Sequence, residues 1–142
     1  MATFVFFHEF KNNLGNGAID LDSHTFKAVL SNTAPVVGTD DELADVTQIA
    51  NGNGYITGGV TLTSVTWSET GAGLGVWRFN AADFTWTASG GSIGPFRYIE
   101  IYDDTSTGDK LVGYYDYGAP ITITDGNAFT VDIGTNGIFE LS

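Results

Sequence analysis

The sequence predicts a single all-β domain over residues 1–142, mainly of antiparallel strands in a sandwich or a jelly-roll-like barrel, with a short N-terminal helix. Three observations indicate this fold. The length of 142 residues suits one domain. The 19 glycines and the aromatic content of 13% are typical of turn-rich β proteins. From residue 55 onward, short apolar segments and turn sequences alternate about every 8–12 residues.

The N-terminal segment differs from the rest of the chain. Residues 4–7 are all apolar, so the alternation of a half-buried strand is absent. Phe7, Phe10 and Leu14 recur at helical spacing, and two glycines at positions 15 and 17 then favour a stop. We therefore expect a short amphipathic helix over about residues 4–14.

The strands are predicted from alternating or continuous apolar segments. Residues 96–102 are apolar on both faces, which is typical of a central strand. Residues 103–109 then form the loop of a hairpin that returns through residues 111–115. Residues 31–54 have little strand character, and we expect a long surface loop there, with a short helix starting near residues 39–43. The other predicted strands are 25–30, 60–67, 76–79, 84–88, 121–124, 129–133 and 138–141.

The charge of the chain argues against two classes of partner. Seventeen acidic residues face five basic ones, so the net charge is −12. Nucleic acids and anionic membranes are not expected partners, because binding them requires clustered Lys and Arg. The sequence has no basic leader and no apolar run of membrane-spanning length, so we expect neither a signal peptide nor a transmembrane helix. It also has no cysteine, which fits synthesis in the cytoplasm.

No pattern of catalytic residues is recognisable, and we expect neither enzymatic activity nor a cofactor. The only imidazoles are those of His8 and His24, and no Gly-x-Ser-x-Gly motif is present. Glu100 lies within a predicted strand, and we interpret it as half of a structural ion pair with Arg97 or Arg78.

No metal site is predicted. The loop at residues 103–109 is rich in carboxylates, but it lacks the spacing of an EF-hand. Asp and Gly are also the residues that a hairpin turn requires. Whether this loop binds calcium stays open at the level of the sequence.

The aromatic residues allow two interpretations. They could form a platform on which sugars stack, or they could fill the core and a protein interface. Alternation places Phe84 and Trp86 on one face, which favours the core. Tyr115 and Tyr117 share a face and are candidates for an interface. The aromatic residues considered for a sugar platform are Trp67, Trp77, Trp86, Tyr114, Tyr115 and Tyr117.

Four stretches of the chain resemble the small β-rich structural proteins of tailed phages. They are residues 19–30, 54–62, 96–104 and 113–118, and they run in order through most of the chain. The first resembles an opening in which a short helix leads into a Leu-Asp-Ser-Asp-Thr turn and then into a strand. His24 stands where that opening commonly has Asp.

The resemblance implies a virion component with no known catalytic residues. A capsid decoration, or cement, protein fits the small size and acidity. It would be made in the host cytoplasm, bind the major capsid protein on the outer capsid surface, and self-associate as a dimer or trimer. The alternative is a carbohydrate- or receptor-binding module associated with a tail or fibre.

The expected contacts with the partner lie in the least β-regular parts of the chain, residues 2–14 and 31–54, together with the paired tyrosines. Exposed phenylalanines are costly unless a partner or the core covers them. The predicted contact residues are Phe4, Phe6, Phe7, Val36, Val37, Tyr115 and Tyr117.

Overall fold

The computed structural model describes residues 2–71 and 73–142. Within these residues the chain forms ten strands, one α-helix and one 3-10 helix, the latter over Leu43–Asp45. In chain order the elements are β1 (Thr3–Phe6), α1 (His8–Gly15), β2 (Phe26–Ser31), β3 (Val60–Thr61), β4 (Thr66–Glu69), β5 (Trp77–Asn80), β6 (Phe84–Thr87), β7 (Ile93–Asp103), β8 (Lys110–Ile123), β9 (Ala128–Val131) and β10 (Phe139–Leu141).

The strands form three antiparallel sheets. The largest has five strands in the order β1-β8-β7-β2-β3. A second sheet has the order β10-β5-β4, and the third pairs β6 with β9. The prediction of an all-β, antiparallel and sandwich-like fold is confirmed.

The main core lies between one face of the five-stranded sheet and the two smaller sheets. Phe26, Ala28 and Leu30 alternate along β2 and face this core, as their period of two predicts. Phe79 and Phe139 face them from the three-stranded sheet, with stacked rings 5.2 Å apart. Each large apolar side chain buried in this way contributes about 1.5–3 kcal/mol to folding.

The opposite face of the large sheet is also covered. Val29, Tyr102 and Leu111 form a second apolar cluster, against which Leu43 and Val46 of the long loop pack. The predicted central strand is confirmed, because β7 lies between β8 and β2 and is buried along most of its length. The 3-10 helix begins at Leu43, the last residue of the segment 39–43 where a helix start was expected.

The predicted helix over residues 4–14 is wrong at its beginning. Residues Thr3–Phe6 form β1, which pairs with β8, and the helix begins only at His8 and ends at Gly15. Phe4 and Phe6 pack against the main core, whereas Phe7 belongs to the second cluster. A continuous apolar run therefore forms a strand here because apolar neighbours cover both of its faces.

Two predicted strand boundaries also change. Segments 111–115 and 121–124 belong to one continuous strand, β8. Segment 60–67 is divided, because β3 pairs with β2 in the large sheet and β4 pairs with β5 in the three-stranded sheet. Ser64 lies between them with φ of 52°, in the left-handed region. The chain thus crosses from one sheet to the other within a segment that reads as one strand.

Candidate functional site

A cleft of about 390 Å³ lies between the end of α1, the turn that follows it and the edge of the three-stranded sheet. We call it the Trp67 cleft. Its walls are apolar except for two carboxylates, and all of its charged side chains are acidic. The lining residues are Leu14, Gly17, Ile19, Asp20, Leu21, Asp22 and Trp67.

The turn after the helix places acidic and apolar residues alternately. Ile19 and Leu21 are buried in the core, whereas Asp20 and Asp22 are exposed. The backbone amide of Ile19 donates to the carbonyl of Asn13 at 3.0 Å, which fixes the turn against the helix. The apolar side chains therefore form the floor of the cleft and the carboxylates form its rim.

Asp20 organises the turn through its carboxylate. It accepts hydrogen bonds from the Ser23 hydroxyl at 2.6 Å and from the amides of Asp22 and Ser23 at 2.9 and 3.2 Å. The Ser23 bond, followed by the amide bonds, lowers the pKa of Asp20, so this group is ionised at neutral pH. The carboxylate of Asp22 makes no hydrogen bond to the described residues and faces solvent.

The other wall of the cleft belongs to a group of apolar side chains on the β4–β5 hairpin. The rings of Trp67 and Trp77 are stacked, with centroids 5.7 Å apart and an interplanar angle of 29°. Trp77 is 41% exposed, and Leu74, in the turn of the same hairpin, is 69% exposed. We call Trp67, Leu74 and Trp77 the aromatic shelf.

The shelf is continuous with the core. In the sheet register Trp67 lies opposite Phe79, and Trp77 lies opposite Leu141. Phe79 is fully buried, while Trp77, two residues earlier on the same face, is partly exposed. The inner face of the three-stranded sheet therefore extends beyond the core and presents its last aromatic ring to solvent.

Most of the basic side chains are bound within the chain. Arg78 pairs with Glu140 at 2.7 Å, and Arg97 pairs with Asp116 at 2.8 Å. Lys110 bonds carboxylates of the long loop, those of Asp41 at 2.9 Å and Glu42 at 2.8 Å. The surface of the molecule is therefore acidic, with few cations left to face a partner.

The interpretation of Glu100 as half of an ion pair is wrong. Arg97 and Arg78 pair with other carboxylates, and Glu100 is only 2% exposed. Its Oε1 atom has no hydrogen-bond partner. Burial raises the pKa of Glu100 to about 8, and the nearby charge of Asp40 adds to this effect.

The predicted contact residues in the N-terminal segment do not form one surface. Phe7 is fully buried and is not available to a partner, because β1 leads directly into the second apolar cluster. Phe4 and Phe6 are partly buried on the opposite face, where both rings contact Phe139. These side chains are thus mainly core residues.

The remaining predicted contact residues also differ in how far their side chains are exposed. Tyr115 is 1% exposed, so its side chain is also unavailable to a partner. Tyr117 is partly buried and lines a second cleft of about 440 Å³, where its ring meets that of Phe129 at 5.5 Å. Val36 is 55% exposed, whereas Val37 is partly buried and its carbonyl accepts the His8 amide at 2.9 Å.

The aromatic residues considered for a sugar platform do not lie together. Trp86 is buried in the main core and Tyr114 packs against the second cluster. Only Trp67 and Trp77 of that set form a stacked pair. The sequence could have indicated this pair, because Trp67 and Trp77 lie in two predicted strands that flank one glycine-rich turn. A hairpin brings such residues together. Nothing in the sequence indicated that Leu14, Asp20 and Asp22 would face them.

The carboxylate-rich loop at residues 103–109 makes hydrogen bonds within the chain, and one of them joins Asp103 to His24. Asp103 accepts the amides of Thr105 and Ser106 at 3.0 and 3.2 Å, and its other oxygen lies 2.5 Å from Nδ1 of His24. His8 is exposed on the helix. Across residues 2–71 and 73–142, no group of three or more His, Cys, Asp or Glu side chains is arranged to hold a metal ion.

Comparison of the chain with protein-family models, curated proteins and solved structures gives no match. In the part of the chain that the structure describes, no helix has the length and apolar character needed to cross a membrane.

Proposed function

We propose that this chain is a non-enzymatic structural protein of a tailed-phage virion, a capsid decoration protein that binds the major capsid protein on the outer surface of the particle. The observation that carries the proposal is the aromatic shelf. Trp is enriched among the residues that dominate binding energy in protein interfaces, and here Trp77 and Leu74 are both exposed in one hairpin of a chain with a net charge of −12.

The scaffold behind the shelf supports this role. Trp67 is partly buried and packs against the main core, so the shelf is held by the three-stranded sheet and not by a loop alone. A binding surface that is ordered before association loses less conformational entropy when it binds. The resemblance to small phage structural proteins gives the same functional class.

Stabilising a capsid in this way requires binding but no covalent reaction. A protein that binds only the assembled capsid stabilises it by mass action, because opening the shell first requires dissociation. An interface of standard size, about 800 Å² per partner, is sufficient. Association as a dimer or trimer at a capsid symmetry axis would multiply the number of such contacts.

A second candidate is a carbohydrate- or receptor-binding module on a tail or fibre. The observation in its favour is the proximity of Trp67 to the carboxylates of Asp20 and Asp22, since sugars stack on aromatic rings and donate hydrogen bonds to carboxylates. Against it, Trp67 already stacks on Trp77, so one of its faces is occupied.

The proposal is tested by the binding of purified variants to phage particles that lack the protein. Trp77→Ala should weaken binding by about tenfold or more, because truncating a Trp that acts as a binding hot spot costs about 2 kcal/mol or more. Ile56→Ala is the matched control, since Ile56 is 70% exposed but lies outside the shelf. Val36→Ala examines the surface first predicted from the sequence.

The wild-type particle supplies the second measurement. A stoichiometry close to that of the major capsid protein supports decoration, whereas a small fraction indicates a tail component and contradicts the proposal. Binding to a glycan array that is lost in Trp67→Ala would establish the second candidate instead. Equal binding by the Trp77→Ala and Ile56→Ala variants would remove the shelf as the contact surface.

A further inference from the structure

The Trp67 cleft has the chemistry of a site for a single cationic side chain. Its floor is formed by Leu14, Ile19 and Leu21, and its rim carries Asp20 and Asp22. The alkyl stem of a Lys or Arg packs well on apolar surface while its charged end reaches toward polar groups. The arrangement of an apolar floor beneath an acidic rim matches both parts of such a side chain.

Among the described residues, no cation of this chain lies in the cleft. Arg78, Arg97 and Lys110 are engaged with carboxylates elsewhere in the chain. The cleft itself is lined by no basic residue, and Asp22 makes no hydrogen bond within the described residues. Charge complementarity therefore selects a basic partner over a second copy of this acidic chain.

The polar lining favours a cation over a sugar. Apart from the indole of Trp67, the polar side chains of the cleft are two carboxylates, and neither an amide nor a hydroxyl side chain accompanies them. Sugar hydroxyls both donate and accept hydrogen bonds, whereas two carboxylates only accept. A cation placed over the face of Trp67 that does not stack on Trp77 would gain ring attraction, and the carboxylates would add charge-assisted hydrogen bonds.

We propose that the Trp67 cleft is a specificity pocket that receives one Lys or Arg side chain from the partner protein. The proposal rests on the proposed function in that the partner is the surface to which this chain docks. The shelf would supply apolar contact area around the pocket. The cleft would fix the register of docking by requiring a basic residue at one position.

The test uses the full chain and small probes of known chemistry. The indole N–H signals of isotope-labelled protein are followed by NMR during titration with butylammonium or butylguanidinium. The Trp67 signal should shift in a saturable way in the millimolar range, as expected for a small fragment. Trp86 is buried in the core, so its signal is an internal reference.

Two variants test whether the carboxylate charge at the rim of the cleft contributes to cation binding. Asp22→Asn should weaken cation binding by about fivefold, because a charge-assisted contact is removed. Asp132→Asn is the matched control, since it makes the same change in net charge at an exposed residue of the second cleft, which shares no lining residue with the Trp67 cleft, and should leave the titration unchanged. Both variants keep the folded core, since neither side chain is buried.

Several results would contradict the proposal that the Trp67 cleft binds a cationic side chain. Butanol has the shape of the cationic probes without the charge, and an equal response to it would show a merely apolar cavity. A shift of the Trp67 signal by methyl glucoside but not by the cations would assign the cleft to sugars. Failure of the titration with normal particle binding would remove the pocket and keep the proposed function. Normal titration without particle binding would remove the proposed function and keep the pocket as a cation site.

Discussion

Glu100 is the residue whose environment departs most from what its type predicts. A carboxylate in the middle of a strand normally finds a cation or a ring of donors when it is buried. Here the neighbours in the register are Val29 and Tyr114, and Oε1 has no hydrogen-bond partner. The ionised form is therefore disfavoured in the folded state, and burial raises the pKa to about 8.

This shift has a consequence for stability. Between pH 4.5 and about pH 8 the unfolded chain has released the Glu100 proton while the folded protein retains it. The free energy of unfolding should therefore fall as pH rises through this window, by up to about 1.4 kcal/mol per pH unit, and the loss should be complete above it. Urea unfolding at several pH values measures the slope.

The variant Glu100→Gln should remove most of this slope, because its amide does not titrate. Glu9→Gln makes the same change on the helix surface and should leave the pH dependence of the wild type in place. An unchanged slope in the Glu100 variant would show that Glu100 is ionised in the folded protein. The comparison of slopes is used because a buried amide has its own desolvation cost.

At the scale of elements, β1 shows why part of the fold could be predicted and part could not. The strands with clean alternation, such as that of Phe84 and Trp86, were predicted because one face is buried and the other is exposed. An apolar run such as residues 4–7 has no such period, because both faces are covered. The distinction between strand and helix then depends on β8, which is distant in sequence.

The pairing of β1 with β8 depends on a glycine. A Cβ atom at Gly113 would lie 2.5 Å from the ring of Phe4 and 2.6 Å from the carbonyl oxygen of Val5. Gly113→Ala should therefore force the two strands apart and lower the free energy of unfolding by about 2–4 kcal/mol, as overpacking and lost strand contacts do. Thermal or urea unfolding measures the change.

Gly15 provides the contrasting substitution. It is the last residue of α1, and a Cβ atom there meets nothing within 4 Å. Gly15→Ala should stabilise the protein by about 0.5–1 kcal/mol, because alanine loses less backbone entropy in a helix. Equal effects of the two alanines would contradict the packing argument for Gly113.

At the scale of the whole molecule, composition predicted the charge but not its distribution. The net charge of −12 is read directly from the sequence. Its distribution depends on which cations are used internally, as Lys110 is by Asp41 and Glu42. The Trp67 cleft could not be predicted either. Its residues Leu14, Asp22 and Trp67 come from three separate segments, which only the folded structure brings together.

The charge leads to opposite salt dependences for the two proposed associations. Copies of the chain repel each other, so dimers or trimers should strengthen as NaCl is raised from about 20 mM to about 300 mM and the repulsion is screened. Docking onto a basic partner should weaken over the same range, mainly through a slower association rate. Sedimentation velocity measures the first and particle binding measures the second. If particle binding strengthens or stays unchanged as salt is raised, the partner is not basic at the contact, and the cleft cannot select it through the charge of Asp20 and Asp22.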